Sequence, residues 1–432
     1  MLAGGLFHTS LRAGSRLGLR TSAGVNLLVA AALLLSPDLV QATDGLEPIG
    51  VSMQSRMRGG ADVAVGDSAL SQVDNPATLS LSPRGVLSLD EASKFAIVDL
   101  RWRGPIDTAE SDQKFIHLHN LGLAMPVNDR LTFGLALHSK AGLGTDFNIR
   151  NLLIPFIERH VHSDMKNIGV YADAAYKITD KLSLGAGARM EVATSRFGLV
   201  LGPAAVDFER GYAYGGGFQL GLHYQATEDL ALGLGYRSPT WFNDLSGGSM
   251  KASLLGVLPV PLGQGSIPDL TLPQRVTAGA AWDITEWFKL IGEVRWIKYS
   301  DTTFDSTTVN SNGWIDLRYP FPMGYRDIWA FILGAEFKLN EHWTLGAGYH
   351  YLTTPVSRAN LVPCVSIPIQ HNATIGLRYE TKRWWVGGGY VIGFPETLKG
   401  TGYSRIPLGI DYGFSEIRQA QHMISMGFGF RW

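Results

Sequence analysis

The sequence predicts an all-β fold: a 14-stranded antiparallel transmembrane β-barrel with an N-terminal hatch, or plug, inside its lumen. Three observations carry that expectation. Short polar turns recur along the chain, and the runs between them alternate apolar and polar residues with period two. Past residue 42 no run of 18 apolar residues occurs, so any crossing of a membrane must use a closed barrel rather than a helix. Composition agrees. Charged residues make up 17% of the chain, below the roughly 25% of soluble domains. The 51 glycines follow no G-X-Y period, which excludes collagen, and the single cysteine excludes a disulfide framework or a CxxC site. A net charge of −1 with no long basic run argues against a nucleic-acid surface.

Residues 1–42 read as a signal peptide. Arg12, Arg16 and Arg20 precede an apolar run, Val25–Leu35, and Val40-Gln41-Ala42 offers a cleavage site. A mitochondrial presequence or an N-terminal anchor is the alternative. Residues 43–84 contain Gly59-Gly60, Gly66-Asp67-Ser68 and Asp74-Asn75-Pro76-Ala77-Thr78, and do not alternate as strands. They are small and polar enough to fill the lumen of a wide barrel as a hatch, or to remain an unfolded tail. Residues 85–432 form the barrel.

Six tight turns punctuate that part: Pro126–Leu131, Lys177–Leu182, Gln225–Leu230, Asp283–Phe288, Lys338–Trp343 and Tyr379–Trp384. Asn, Asp and Thr suit them because their side chains bond nearby backbone. Six turns join twelve strands, and one strand at each end makes fourteen. The expected strands are 94–103, 117–126, 131–140, 167–178, 182–196, 213–226, 230–237, 274–284, 288–298, 328–339, 343–351, 371–380, 383–391 and 422–432. One face is apolar with aromatic residues near its ends, as in Ile424, Met426, Phe428, Phe430 and Trp432. The other is glycine plus polar and charged groups, including Arg189 and Glu191, Glu293 and Arg295, Glu336, and Arg378. Apolar outside, polar inside, with short turns at one end and long loops at the other, is the pattern of a bacterial outer-membrane barrel.

The stretch Arg58-Gly-Gly-Ala-Asp-Val-Ala-Val-Gly-Asp-Ser-Ala-Leu with Asn75-Pro76-Ala77 resembles the N-terminal hatch of FadL-type outer-membrane transporters, the OmpP1/FadL/TodX family. Pro126-Val-Asn-Asp-Arg-Leu, Gly142-Leu-Gly-Thr-Asp-Phe147, Tyr325-Arg-Asp-Ile and Gly348-Tyr-His-Tyr with Thr354-Pro355-Val356 extend the resemblance in order from about Glu47 to Trp432. The resemblance implies a monomeric channel for long-chain fatty acids or aromatic hydrocarbons. Such molecules pass by passive diffusion and leave sideways through the barrel wall into the lipid. It also implies contact with outer-membrane lipid and lipopolysaccharide, and insertion by the barrel-assembly machinery. By that match Asn75, Pro76 and Ala77 are the gate contact of the hatch against a kinked third strand, and Gly142 and Gly144 mark the kink.

Two apolar loops are candidate landing sites for a ligand: Leu152, Leu153, Phe156 and Ile157, expected on a short helix, and Leu254, Leu255 and Leu258. Packing of the loops on each other as a lid is the competing reading. The loop at about 197–212 is short for the family, and Ser366–His371 lacks the family's acidic residues, so the ligand stays open. No motif calls for a catalytic residue, a cofactor or a metal. His160-x-His162 has no completing ligands, no G-x-S-x-G occurs, and Cys364 falls in a loop. A general porin-like or partner-binding, adhesin-like barrel remains the alternative to a hydrophobic-substrate channel.

Overall fold

The computed structural model describes residues 45–82, 86–313 and 316–432. The expected signal segment, 1–42, and the end of the expected hatch, 83–84, lie outside the described residues. Fourteen long strands form the wall: β1 (Ser88–Arg103), β2 (Phe115–Pro126), β3 (Leu131–Asn151), β4 (Ile154–Lys177), β5 (Leu182–Leu201), β6 (Ala204–Gln225) and β7 (Leu230–Arg237). Then follow β8 (Gln274–Thr285), β9 (Phe288–Lys298), β10 (Ile328–Lys338), β11 (Trp343–Leu352), β12 (His371–Glu380), β13 (Trp384–Lys399) and β14 (Glu416–Arg431). Each pairs antiparallel with its chain neighbours. β1 closes on β14 from Ser88↔Arg431 to Arg103↔Glu416. The fourteen-strand closed antiparallel barrel is therefore the architecture of this chain.

Closure follows from chemistry. Outward residues such as Leu220, Leu234, Phe331, Leu333, Ile375 and Met426 are exposed and apolar, a surface suited only to hydrocarbon. In hydrocarbon every backbone N–H and C=O needs a partner within the protein, which an open sheet cannot supply. Exposed aromatics gather at both margins of the belt, with Trp282, Trp287, Trp343 and Trp432 at the short-turn end and Tyr212, Tyr214, Trp241 and Trp329 at the other. Aromatic rings settle at such interfaces because they are apolar in body and polar at one edge.

β3 to β6 and β13 outrun their expected ends and rise as hairpins at the long-loop end. A further hairpin, Leu245–Leu254 with Leu258–Ile267, pairs with β6 and carries the wall on to Thr307–Ser311 and Arg318–Phe321. The segment expected as a short helix around Leu152–Ile157 is instead the turn of the β3–β4 hairpin, because Asn151 pairs with Ile154 across it. Leu254 and Leu258 likewise close the 245–267 hairpin.

Residues 45–82 fold inside the barrel as helix α1 (Met53–Met57) and two 3-10 turns, Ala69–Val73 and Pro76–Leu81. Ser52 and Ser55 form a reciprocal capping box at the start of α1, and Ser68 and Asn75 cap the two turns. The inward glycines make room for this plug. A Cβ on Gly348 would lie 2.2 Å from the Gly59 nitrogen, and one on Gly185 would lie 2.3 Å from the Ala77 nitrogen. Gly348→Val is therefore expected to expel the plug while the barrel still folds. Heat-modifiable gel migration should stay normal while trypsin begins to cut after Arg56 or Arg58, both buried in the parent. A variant that resists trypsin like the parent would show that the plug does not need this glycine.

Candidate functional site: a plugged lumen and a parted wall

The plug is held by buried charge. Its Arg58 contacts Asp62 (2.5 Å) and Asp67 (2.9 Å) within the plug and Glu336 of β10 (2.7 Å). Arg378 of β12 reaches Asp67 at 2.8 Å. Arg237 of β7 and Arg275 of β8 both bind Glu47, and Arg275 also binds Asp74. Glu293 of β9 accepts the Asp62 and Val63 N–H groups (2.8 and 3.0 Å), and Arg295 beside it donates to the Gly60 carbonyl at 2.6 Å. Four of the inward charges legible in the sequence, Glu293, Arg295, Glu336 and Arg378, thus serve the plug. Burial raises the carboxyl pKa values of Glu47, Asp67 and Asp74, but the facing guanidiniums outweigh it and hold all three below the usual carboxylate range.

Asn75 donates to the Val63 and Leu222 carbonyls (2.7 and 2.9 Å), and its own side chain accepts the Ala77 N–H. Pro76 and Ala77 press on Gly185 and Gly221. The Asn75-Pro76-Ala77 segment is therefore seated on β5 and β6, not on β3 as expected. β3 meets the plug at Gly134, where a Cβ would lie 2.2 Å from the Gln72 side-chain oxygen and 2.7 Å from Leu79.

The wall parts between β2 and β3. Their ladder runs from Pro126↔Thr132 only to Asn120↔His138. Beyond it, Phe115–His119 keep partners on β1, while β3 continues along β4. The two segments are tied again where Asp112 N–H donates to Asp146 (2.8 Å) and Asp146 N–H to Ser111 Oγ (3.0 Å). Side chains cap the lower end of the opening. Asn120 accepts the Ser139 N–H (3.0 Å) and donates to Val51 of the plug (2.8 Å), and Ser139 Oγ donates to the His119 carbonyl (2.8 Å).

A register shift between Ser139 and Ala141 accompanies the parting. Its extra residue is Lys140, two positions before Gly142. Below the bulge the inward row is Gly134, Ala136 and His138; above it the inward row is Thr145, Phe147 and Ile149. That switch places Gly142 and Gly144 on the outward row at the edge of the opening. Lys140 itself turns inward, with Nζ 3.2 Å from Glu191 and 3.1 Å from Thr240 Oγ1, and Arg189 Nε lies 2.7 Å from the same Glu191. The sequence marked Arg189 and Glu191 but not Lys140, whose partner lies 51 residues away.

Above the plug the lumen is apolar. A cavity of about 60 Å³ is lined by Met165, Phe197, Leu245, Phe304, Phe321 and Met323 among others, and Cys364 is buried in its wall. One contiguous apolar cluster joins these residues to Ile116, Leu118 and Phe147 beside the opening. Apart from Cys364, the lining carries no signal in the sequence, because it is gathered from strands and loops far apart in the chain. At the long-loop tip, Phe156 is 93% exposed, and Leu152, Leu153, Leu254, Leu255 and Leu258 are also exposed. Gly256 sits so close to Ile157 that an added Cβ would fall 2.8 Å from it, and Leu255 N–H donates to the Pro203 carbonyl. The two candidate landing loops are thus brought together. The rings of His160 and His162 stack 4.4 Å apart, and His160 contacts Asp146; among the described residues no cluster of three metal-type ligands occurs.

Residues 57–384 match the family model described as outer membrane protein transport protein (OMPP1/FadL/TodX). The long-chain fatty acid transport protein of Escherichia coli O6:H1 (strain CFT073) is 23% identical over 373 residues, covering 77% of this chain and 79% of that relative. Among solved structures, the Pseudomonas putida toluene transporter TodX superposes with a TM-score of 0.76 at 20% identity, over 89% of this chain and 99% of that one. The Ralstonia pickettii toluene transporter TbuX gives 0.73 at 21%, over 91% and 100%.

Removing one partner of a fully buried ion pair costs about 3–5 kcal/mol. Arg275→Ala, which takes one of the two arginine partners from each of Glu47 and Asp74, should speed amide exchange across 45–82 by two or more orders of magnitude while β-strand exchange is unchanged. The lowered carboxyl pKa values fix the sign of the pH effect. Their stabilising contribution is complete above the unfolded carboxylate pKa of about 4 and is lost as pH falls through the lower, folded values. Burial pushes the plug's Asp62 up to about 8, so its protonated form favours the folded plug as pH falls toward about 4; plug exchange corrected for intrinsic rate should therefore slow from about pH 8 to about 5 and rise only in stronger acid.

Proposed function

The chain belongs to the OMPP1/FadL/TodX family of outer membrane transport proteins, and from that premise we propose a passive uptake channel for hydrophobic molecules, long-chain fatty acids or aromatic hydrocarbons. The supporting observation is the apolar cluster that runs from the cavity at Phe197, Phe304 and Phe321 to Ile116 and Leu118 at the parted wall. A molecule reaching that cluster has a route into lipid that never enters water. Release into water instead would forfeit roughly 0.8 kcal/mol for each methylene.

In this reading the exposed tip at Leu152, Leu153, Phe156, Leu254, Leu255 and Leu258, with the half-buried Ile157 between the two loops, receives the ligand from outside. The cavity holds it, and the opening flanked by Gly142 and Gly144 releases it sideways. Those two positions suit an exit because glycine leaves the edge clear. The plug, pinned through Asn75 to β6 with Pro76 and Ala77 against β5 and β6, blocks the downward path, so flow is sideways and not through a pore. The relatives, a fatty acid transporter and toluene transporters, support this ligand class.

Uptake of labelled oleate, toluene and a small sugar by a transporter-deficient host tests the route. Gly144→Trp, which fills the opening, and Phe304→Asp, which makes the cavity polar, should each lower apolar uptake at least tenfold with sugar entry absent throughout. Sugar flux indifferent to both substitutions, without apolar uptake, would make this a plain pore.

A further inference from the structure

The lipid-facing side of the opening carries a group of ionisable residues where a barrel normally presents only apolar ones. Along β1 the outward row is Leu89, Glu91, Ser93, Phe95 and Ile97, and along β2 it is Phe115, His117, His119, Leu121 and Leu123. Register sets their depth. Glu91 pairs with Phe428 on one side and Leu121 on the other, and Ser93 pairs with Met426 and His119. Phe428 and Met426 are exposed belt residues, so Glu91, Ser93 and His119 lie within the belt, not above it. His119 is the first residue past the last paired step of β2 and β3, and its carbonyl accepts Ser139 Oγ at the lower corner of the opening.

The group is internally wired. Ser93 Oγ lies 2.6 Å from Glu91 Oε1 and 2.7 Å from His119 Nδ1. Glu91 Oε1 is 3.4 Å from the same ring nitrogen. His117 packs edge-on against His119 at 3.9 Å and stacks on Phe95 at 4.2 Å. The serine has one proton, and the carboxylate can only accept. The consistent arrangement is therefore His119 Nδ1–H donating to Ser93 and Ser93 O–H donating to Glu91. That tautomer leaves His119 Nε2 as a bare acceptor on a half-exposed ring at the corner of the opening. Ionisable side chains at membrane depth are costly and mark functional sites.

We infer that Glu91, Ser93, His117 and His119 form an exit-side site for the carboxylic acid head group of a departing long-chain acid. The inference rests on the lateral-exit reading above and narrows its ligand class. A neutral carboxylic acid entering lipid carries an O–H donor that hydrocarbon cannot satisfy. His119 Nε2 accepts that O–H at the corner of the opening, while Ser93 and Glu91 fix the ring and its tautomer. A hydrocarbon such as toluene, or an ester without the O–H, has nothing to gain there.

Ser93→Ala and His119→Leu test this in intact cells with labelled oleate, methyl oleate and toluene, each variant checked for heat-modifiable migration. His371→Leu, a change at another outward histidine remote from the opening, is the control. Oleate uptake should fall about tenfold in both variants, with methyl oleate, toluene and the control at parental rates. Unchanged oleate uptake would overturn the head-group site and leave lateral exit standing. An equal fall for all three molecules would also overturn it, by showing that the residues only maintain the opening. Failure of the unmodified protein to admit any of the three would instead defeat the lateral-exit reading itself. Ser93→Ala removes one oxygen from a short side chain, so the test does not depend on the bulkier change folding.

Discussion

Hydrocarbon offers no hydrogen bonds, and the rest of this molecule is a response to that. Fourteen strands close because an edge cannot be left open to lipid, and β1 meets β14 along the whole of its length. A wall of fourteen strands encloses more space than its own side chains can fill, so the lumen takes a second part of the chain. The parting between β2 and β3 relaxes that rule. There the ends are finished by side chains in place of the ladder: Asn120 and Ser139 below, Ser111 above. The opening is thus framed by built contacts at both ends, and it faces the apolar side of the lumen.

The plug and the wall fit through two complementary devices. Glycines on the inward rows allow backbone to lie against backbone, and charges of opposite sign fix where it lies. Plug carboxylates face wall arginines at Arg237, Arg275 and Arg378, while the plug's Arg58 faces the wall's Glu336. The arrangement gives the plug one seat, since a shifted plug would leave several buried charges without partners. It also accounts for the high glycine count, which no feature of a lipid-facing belt requires.

Most of the barrel was legible because a belt in lipid enforces alternation on every strand, and each of the fourteen expected strands has its counterpart. The misreadings have local causes. The expected end of β3 at 140 coincides with Lys140, an inserted residue that reverses the inward and outward rows, so the period-two signal fails there although the strand continues to Asn151. The observed β1 begins at Ser88, ahead of the expected 94, and Glu91 and Ser93 break the apolar outward row over those first residues. The upper parts of β4 to β6 rise beyond the lipid, where an outward residue need not be apolar and alternation fades. The plug's charge partners were visible as inward residues, but which charge met which was not, since Arg58 and Glu336 are 278 positions apart. Asn75-Pro76-Ala77 was found as a motif, and its seat on β5 and β6 was beyond any local signal.

Lys140 repays a last consideration. It is a single residue more than the ladder with β4 accommodates, and from it follow the reversed rows and the glycines turned outward, at the level where β3 leaves β2. The two registers of β3 are thus separated by the smallest in-frame change a gene can undergo, one codon gained or lost. Point substitution explores side chains on a fixed frame; here the frame itself is altered in one step, with the strands on either side left in register. A shift of this kind is an economical thing for a lineage of barrels to acquire, and an equally simple thing to lose.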